Sequence, residues 1–141
     1  MLVKLVRQYT VFIRNQPGAL CEFVNLFTKE DLNIVGITSE VREESSIVRV
    51  AIDAEKRVSP ILTGAGYTTI ETMIISYEVA EDGPGNLLWL SKTLGDSGIN
   101  ITNIYGTSCS AEVGRVLFTT SDNEKAIKVL RQAIDRMPRM R

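Results

Sequence analysis

The residues best suited to chemistry form one short motif that occurs twice in the chain. The first copy is Asn15-Gln16-Pro17-Gly18-Ala19-Leu20, and the second is Asp82-Gly83-Pro84-Gly85-Asn86-Leu87. A Pro-Gly turn at the start of a helix presents unpaired N–H groups and positive dipole, which suit a carboxylate or a phosphate. Glycine lets a ligand approach the backbone closely, and Asp82 adds a carboxylate that suits an ammonium group. The motif therefore indicates a site for a small zwitterion such as an amino acid.

A second motif follows each turn at the same spacing. Leu32-Asn33-Ile34 and Ile99-Asn100-Ile101 come after the predicted helices, and both motifs repeat with an offset of 67 positions. We expect Asn33 and Asn100 to enter the next strand beside the turn, where an amide can donate and accept hydrogen bonds. The alternative is purely structural, with Pro-Gly making a tight turn and the asparagine capping it. The recurrence of both motifs at one spacing favours ligand binding.

The motifs belong to a duplicated unit of helices and strands. Leu20, Phe23, Val24 and Phe27 form the apolar stripe of a core-facing helix, which Leu87, Leu90 and Leu94 repeat more loosely. Each copy reads in the order βαββαβ, and Pro60 predicts that the last helix of the first copy is short. The fold class is therefore α+β, with two ferredoxin-like units at residues 1–72 and 73–141 packed as a pseudo-symmetric pair. Each antiparallel sheet carries its helices on one face.

The two copies differ at their ends. Residues 66–72 close the first copy with a strand, whereas the second copy ends at Arg141 without one. The chain also begins with an apolar and basic stretch, residues 1–7, that the first copy does not need. Our hypothesis is that this stretch extends the first strand or completes the open sheet edge, in this chain or in a partner. A truncated last strand is the alternative.

Composition excludes several classes of function. The 16 basic and 17 acidic residues give a net charge of -1, which argues against nucleic-acid or membrane-surface binding. The absence of histidine removes the commonest general base and metal ligand. Cys21 and Cys109 lie too far apart for a metal or redox motif. We expect no catalytic residues, no metal, no cofactor and no membrane span, and we expect a cytoplasmic protein that is not an enzyme.

Both motifs in a βαββαβ order, found twice, resemble the signature of ACT domains over essentially the whole chain. The resemblance implies a regulatory module that binds an amino acid between paired domains and controls a metabolic enzyme or a transport partner. It implies ligand contacts at Asn15–Leu20 with Asn33 and Ile34, and at Asp82–Leu87 with Asn100 and Ile101. It further implies a free-standing tandem protein or small regulatory subunit, and we expect a homodimer. A ligand-free assembly module is the alternative.

Overall fold

The computed structural model describes residues 2–79, 85–108 and 114–137. The chain divides into a first unit, Val6–Met73, and a second unit, Met1–Leu5 with Ile74–Arg141. The elements in chain order are β1 (Leu2–Arg14), α1 (Ala19–Lys29), β2 (Ile34–Arg42), β3 (Ser45–Ile52), α2 (Ser59–Gly64), β4 (Thr69–Val79), α3 (Asn86–Asp96), β5 (Ile101–Ser108), β6 (Gly114–Thr120) and α4 (Asn123–Asp135).

The first unit is a four-stranded sheet with α1 and α2. Its strand order is β2-β3-β1-β4, to which β4 contributes residues 69–73, and β3 pairs antiparallel with both of its neighbours. Alternate residues of β1 and β3 point to the same side as the apolar stripe of α1, as period-two strands require. The buried core consists of Tyr9, Val11, Phe23, Phe27, Val48, Val50, Ile52, Val58 and Leu62.

The second unit has the same architecture, but its first strand residues come from the start of the chain. The order is β1-β4-β6-β5, with residues 2–5 of β1 and 74–79 of β4. Val3 is 5% exposed in a core that also contains Ile75, Leu90 and Leu130. The guanidinium of Arg131 donates a hydrogen bond to the Val3 carbonyl at 3.0 Å. In the second unit, residues 2–5 thus occupy the sheet position that residues 69–73 of β4 occupy in the first unit.

The sequence predicted the type of each element better than its length. The α+β fold of ferredoxin-like βαββαβ units is confirmed, and α2 is a short helix of 6 residues, as Pro60 predicted. The closing strand predicted at residues 66–72 continues past residue 73 as one strand, β4 (Thr69–Val79), so the expected boundary between residues 72 and 73 falls inside it. Likewise β1 is one strand of 13 residues.

A polar network in the first unit joins β1, β4 and the start of α2. The buried hydroxyl of Tyr9 donates to Glu71 Oε1 at 3.0 Å and accepts from the Val58 N–H at 3.4 Å. Arg7 Nε and an Arg57 terminal nitrogen lie 3.6 and 3.5 Å from the Glu71 carboxylate. Because a buried hydroxyl without a partner is costly, this network favours one position of the start of α2 relative to β1 and β4.

Truncating Val3 tests how much the second unit depends on the start of the chain. Val3→Ala should lower the free energy of unfolding by about 2 kcal/mol, because it removes buried methyl groups and leaves a cavity. Denaturant unfolding followed by Trp89 fluorescence measures this, since the single tryptophan stacks on Tyr77 at 6.0 Å within the second unit.

The matched control is Leu2→Ala, one residue earlier on the same strand, where the side chain is 50% exposed. It should change stability by no more than about 0.5 kcal/mol. Equal losses for the two variants, or no loss for Val3→Ala, would show that residues 2–5 do not support the second core.

Candidate functional site

Both helices that follow the Pro-Gly turns begin at a glycine in the left-handed conformation. Gly18 is the N-cap of α1 with φ 86°, and Gly85 is the N-cap of α3 with φ 97°. This conformation costs other residues roughly 1–2 kcal/mol. No atom lies within 4 Å of a Cβ added at either position, so there is room for a larger residue. Glycine is required by the backbone conformation at these positions. Pro17 lies in the turn before the cap.

Asn15 does not cap α1 and instead ties the turn to the β2–β3 hairpin. Its side-chain amide donates to the Glu43 carbonyl at 3.3 Å, and its N–H donates to the Glu44 carbonyl at 2.9 Å. Gln16 accepts a hydrogen bond from the Ala19 N–H at 3.2 Å. The turn is therefore held at two points, which leaves the start of α1 in a defined position.

The N-terminus of α1 is open. The Glu22 N–H bonds to the Gly18 carbonyl at 3.0 Å, as the first bond within the helix. The N–H groups of Leu20 and Cys21 have no partner among the residues that the structure describes, and the Leu20 side chain is 44% exposed. Such free N–H groups and the helix dipole attract an anionic group.

An open pocket of about 360 Å³ lies beside this turn, wholly within the first unit. It is bounded by the end of β1, the turn, the start of α1 and the loop between α2 and β4. Gln16 and Ala19 are the predicted site residues that line it. The full lining is Phe12, Ile13, Arg14, Gln16, Ala19, Glu22, Ala65, Gly66 and Tyr67.

The pocket carries two opposite charges that the sequence interpretation did not single out. Arg14 and Glu22 are exposed, and neither side chain forms an ion pair or hydrogen bond with any described residue. Burial, and then the nearby Glu22 carboxylate, raise the pKa of the Tyr67 phenol above its ordinary value of 10.0. Arg14 precedes the motif and Glu22 follows it in the sequence, so their positions could have indicated them as site residues. Tyr67 is far from the motif in the sequence, and only the fold brings it to the pocket.

The expectation that Asn33 lies beside the turn is wrong. Arg14, just before the turn, pairs with Ser45 of β3, whereas Ile34 pairs with Ile52 at the other end of β3. β1 and β2 both run antiparallel to β3, so β2 begins at the end of the sheet where β1 begins. Arg7, which also pairs with Ile52, is seven residues from Arg14, or roughly 23 Å along the strand. Asn33 and Ile34 therefore lie far from the turn within one unit.

The second unit repeats this separation. Ile101 pairs with Thr120 at one end of β6, whereas Val79, which leads toward the second turn, pairs with Gly114 at the other. The Asn100 N–H donates to the Ser121 hydroxyl at 3.1 Å.

Of the second turn, the structure describes only its last part. Asp82, Gly83 and Pro84 lie outside the described residues. Asn86 is the half-buried first residue of α3, and Leu87 is 58% exposed.

Both predicted strand starts contain an irregularity that the sequence did not indicate. The register of β2 with β3 shifts between Ile34 and Gly36, and that of β5 with β6 shifts between Ile101 and Asn103. The two shifts occupy equivalent positions of the repeat. Bulges redirect side chains and are over-represented beside functional sites. Because both copies have the irregularity at the same position, Ile34 and Ile101 remain candidate ligand-binding residues.

Two further features bear on the kind of site. Within residues 2–79, 85–108 and 114–137, no group of three or more Cys, Asp or Glu side chains is placed to hold a metal ion. In the same ranges, no helix has the length and apolar character needed to cross a bilayer.

The architecture and the paired turns define a duplicated module of ferredoxin-like α+β units with an open helix N-terminus beside a pocket. A family model described as an ACT domain pair matches residues 4–136. The chain belongs to this family, which confirms the resemblance seen in the sequence.

Solved structures share the fold at low sequence identity. Protein BT0572 from Bacteroides thetaiotaomicron has a TM-score of 0.83 and 20% identity over 94% of this chain and 90% of that one. The regulatory subunit of aspartate kinase from Thermus thermophilus has a TM-score of 0.64 and 17% identity over 93% and 95%. Clostridium acetobutylicum aspartate kinase, an allosteric enzyme, has a TM-score of 0.61 and 15% identity over 93% of this chain and 33% of that one. No curated protein matches the chain.

Replacing the capping glycines tests the backbone argument for the turns. Gly18→Ala and Gly85→Ala should each lower the free energy of unfolding by about 1 kcal/mol, because alanine is strained at positive φ. Thermal or denaturant unfolding measures the loss.

The control is Gly95→Ala, an exposed position inside α3 with open space around a Cβ and no positive φ. It should stabilise the protein by about 0.5–1 kcal/mol, because alanine favours helix. If the capping variants were as stable as Gly95→Ala, the left-handed caps would not be a real constraint.

Proposed function

We propose that this chain is a regulatory sensor that binds an amino acid at its Pro-Gly turns and thereby controls a metabolic enzyme or a transport partner. The observation that carries the proposal is the open N-terminus of α1, capped by Gly18, beside a pocket with unpaired charges. Membership of the ACT domain pair family supports a ligand-binding role, and so does the similarity in fold to a regulatory subunit of aspartate kinase. The proposal includes no catalysis, metal or cofactor.

Ligand binding at this site can regulate only if the ligand prefers one arrangement of the protein. A bound amino acid would join the start of α1 to the loop before β4, two segments that otherwise meet across an open pocket. Its binding free energy would favour whichever conformation or assembly keeps these segments in place. A partner that recognises that state would then respond to the amino-acid concentration.

The separation of the two predicted motifs points to a role for pairing of chains. Asn33 and Ile34, like Asn100 and Ile101, lie at the far end of the sheet from the turn of their own unit. A single ligand could touch a turn and a strand start together only if they came from different domains. We therefore include a homodimer, in which the turn of one chain faces the strand start of another.

The second candidate function is a ligand-free assembly module. β2 is an edge strand of the first unit, and its Ile37 and Val41 are 44% and 58% exposed. Exposed apolar side chains on an unpaired edge favour strand addition by another chain. In this case the turns would be structural, and pairing of the chains would not require an amino acid.

A thermal-shift screen against the twenty common amino acids separates the two functions. A ligand at about a hundred times its Kd adds roughly 2.7 kcal/mol, which should raise the unfolding midpoint by roughly 5–10 °C. Gly18→Val should abolish or greatly reduce the shift, because its side chain blocks the approach to the turn.

Gly85→Val and Gly95→Ala serve as the controls for the second turn and for a helical glycine. A shift that persists in both valine variants would place the site elsewhere. No shift with any amino acid at millimolar concentration, together with a midpoint that rises with protein concentration, would instead support the assembly module.

A further inference from the structure

We propose that residues 69–73 form a strap that opens without unfolding either unit, and that the Glu71 carboxylate is the latch that holds it closed. The strap is the first half of β4 and the outer strand of the first unit. The second half, residues 74–79, belongs to the other unit and stays in place when the strap opens. This inference does not depend on the ligand of the proposed function.

The two halves of β4 are held by different kinds of contact. All of residues 74–79 are buried or half-buried, and Ile75, Tyr77 and Val79 belong to the core of the second unit. None of residues 69–73 is buried, and the core of the first unit contains no side chain from them. Segments with few buried apolar contacts are the ones that open locally. The strap therefore lacks the contacts that hold most strands in a sheet.

The strap also has fewer strand neighbours than the rest of β4. β6 pairs with β4 from Ile75 to Val79, so β1 is the neighbour of residues 69–73 among the described strands. An outer strand is joined to its sheet by one ladder of hydrogen bonds, whereas a central strand has two. The strap can therefore separate from the rest of β4 between Met73 and Ile74.

Polar contacts hold the strap instead, and they meet at Glu71. Its carboxylate accepts a hydrogen bond from Tyr9 at 3.0 Å and lies 3.6 Å from Arg7 Nε and 3.5 Å from a terminal nitrogen of Arg57. Burial raises the pKa of the Tyr9 phenol, and the Glu71 carboxylate raises it too, so the hydroxyl remains a donor. Charge-assisted hydrogen bonds are stronger than neutral ones, but salt weakens charge pairs that are partly exposed. The attachment of the strap thus depends on one charge.

The closed strap carries an unfavourable feature at Thr69. Its hydroxyl oxygen is inaccessible to solvent and has no hydrogen-bond partner among the described residues. A buried polar group without a partner destabilises the state that buries it. Opening of the strap would hydrate this hydroxyl, which reduces the margin by which the closed state is favoured.

The loop before the strap is anchored separately. The Tyr67 N–H donates to the Leu62 carbonyl at 3.0 Å, and the Tyr67 ring packs edge-on against Phe23 with centroids 5.3 Å apart. Opening is thus confined to the residues between Tyr67 and Ile74. The first unit then has two states that share one core, and a regulatory protein can use such a pair of states.

The closing strand of the second unit is attached in a different way. Residues 2–5 place the Val3 side chain in the core of that unit, and Arg131 donates a hydrogen bond to the Val3 carbonyl at 3.0 Å. Val3 thus supplies the buried apolar contact that the strap of the first unit lacks. The two copies of the repeat therefore differ in how firmly their closing strands are held.

Amide hydrogen exchange followed by NMR tests the strap in the full chain. In the wild type, the slowest amide of residues 69–73 should exchange at least about a hundredfold faster than the slowest amide of residues 75–79. Glu71→Gln should raise exchange in the strap by about a further tenfold and leave residues 75–79 unchanged. The reason is that this variant loses two ion pairs and a charge-assisted hydrogen bond.

Two further variants make the comparison specific. Arg57→Gln removes one exposed partner of the carboxylate and should raise exchange in the strap by about two- to threefold. Glu30→Gln removes the ion pair with Lys56, which lies outside the strap, and should leave exchange in the strap unchanged. Denaturant unfolding followed by Trp89 fluorescence checks that each variant is folded.

Salt gives a readout that a general loss of stability would not produce. Raising the salt concentration from about 0.05 M to about 1 M should speed exchange of the wild-type strap several-fold, because the Debye length falls to roughly 3 Å. The same change should leave the strap of Glu71→Gln almost unaffected.

Each part of the proposal has a result that would overturn it. Equal exchange in the two halves of β4 in the wild type would show that no strap opens. An equal increase in both halves for Glu71→Gln would show that the network supports the whole fold. A salt response of Glu71→Gln equal to that of the wild type would show that the carboxylate is not the latch.

Discussion

The rest of the structure depends on the sharing of two long strands between two cores. β1 gives residues 2–5 to the second unit and the remainder to the first, and β4 is divided in the same way at Met73 and Ile74. Val3, from the start of the chain, lies in the core of the second unit beside residues of β4, α3 and α4. Burial of apolar area is the main driving force for such small units, so the second unit cannot complete its core until the start of the chain is in place.

The duplicated backbone and the divergent side chains have different consequences. Gly18 and Gly85 adopt nearly the same left-handed conformation, and α1 and α3 have the same length of 11 residues. In the first unit this backbone leaves the N-terminus of α1 open, and an open helix N-terminus is a general site for an anion. Selectivity must come from the side chains around that opening, and there the two copies differ. In the first unit Glu22 lines a pocket, whereas in the second unit Trp89 stacks on the ring of Tyr77.

The sequence was sufficient wherever a structural feature is encoded locally. Phe23 and Phe27 predicted the buried face of α1, Pro60 predicted the short α2, and the repeat predicted the order of the elements. The length of β1 and β4 was not predictable, because β-propensity does not reveal where a strand changes its neighbours. Asn33 was misplaced for a related reason. Asn33 follows the helix closely in sequence, but a helix that crosses the sheet carries the chain to the end of the sheet opposite the turn.

The same reasoning explains why the motif indicated only part of the candidate site. Gln16 and Ala19 line the pocket together with Arg14 and Glu22, and all four belong to one short stretch of sequence, whereas Tyr67 reaches the pocket from the loop before β4. A ligand that bound only in the pocket of the first unit would have one site in each chain. Binding to a single chain is then hyperbolic, and any cooperativity in the response must come from coupling between chains, since reciprocal coupling requires at least two sites. A sensor of this kind would owe the steepness of its response to its assembly.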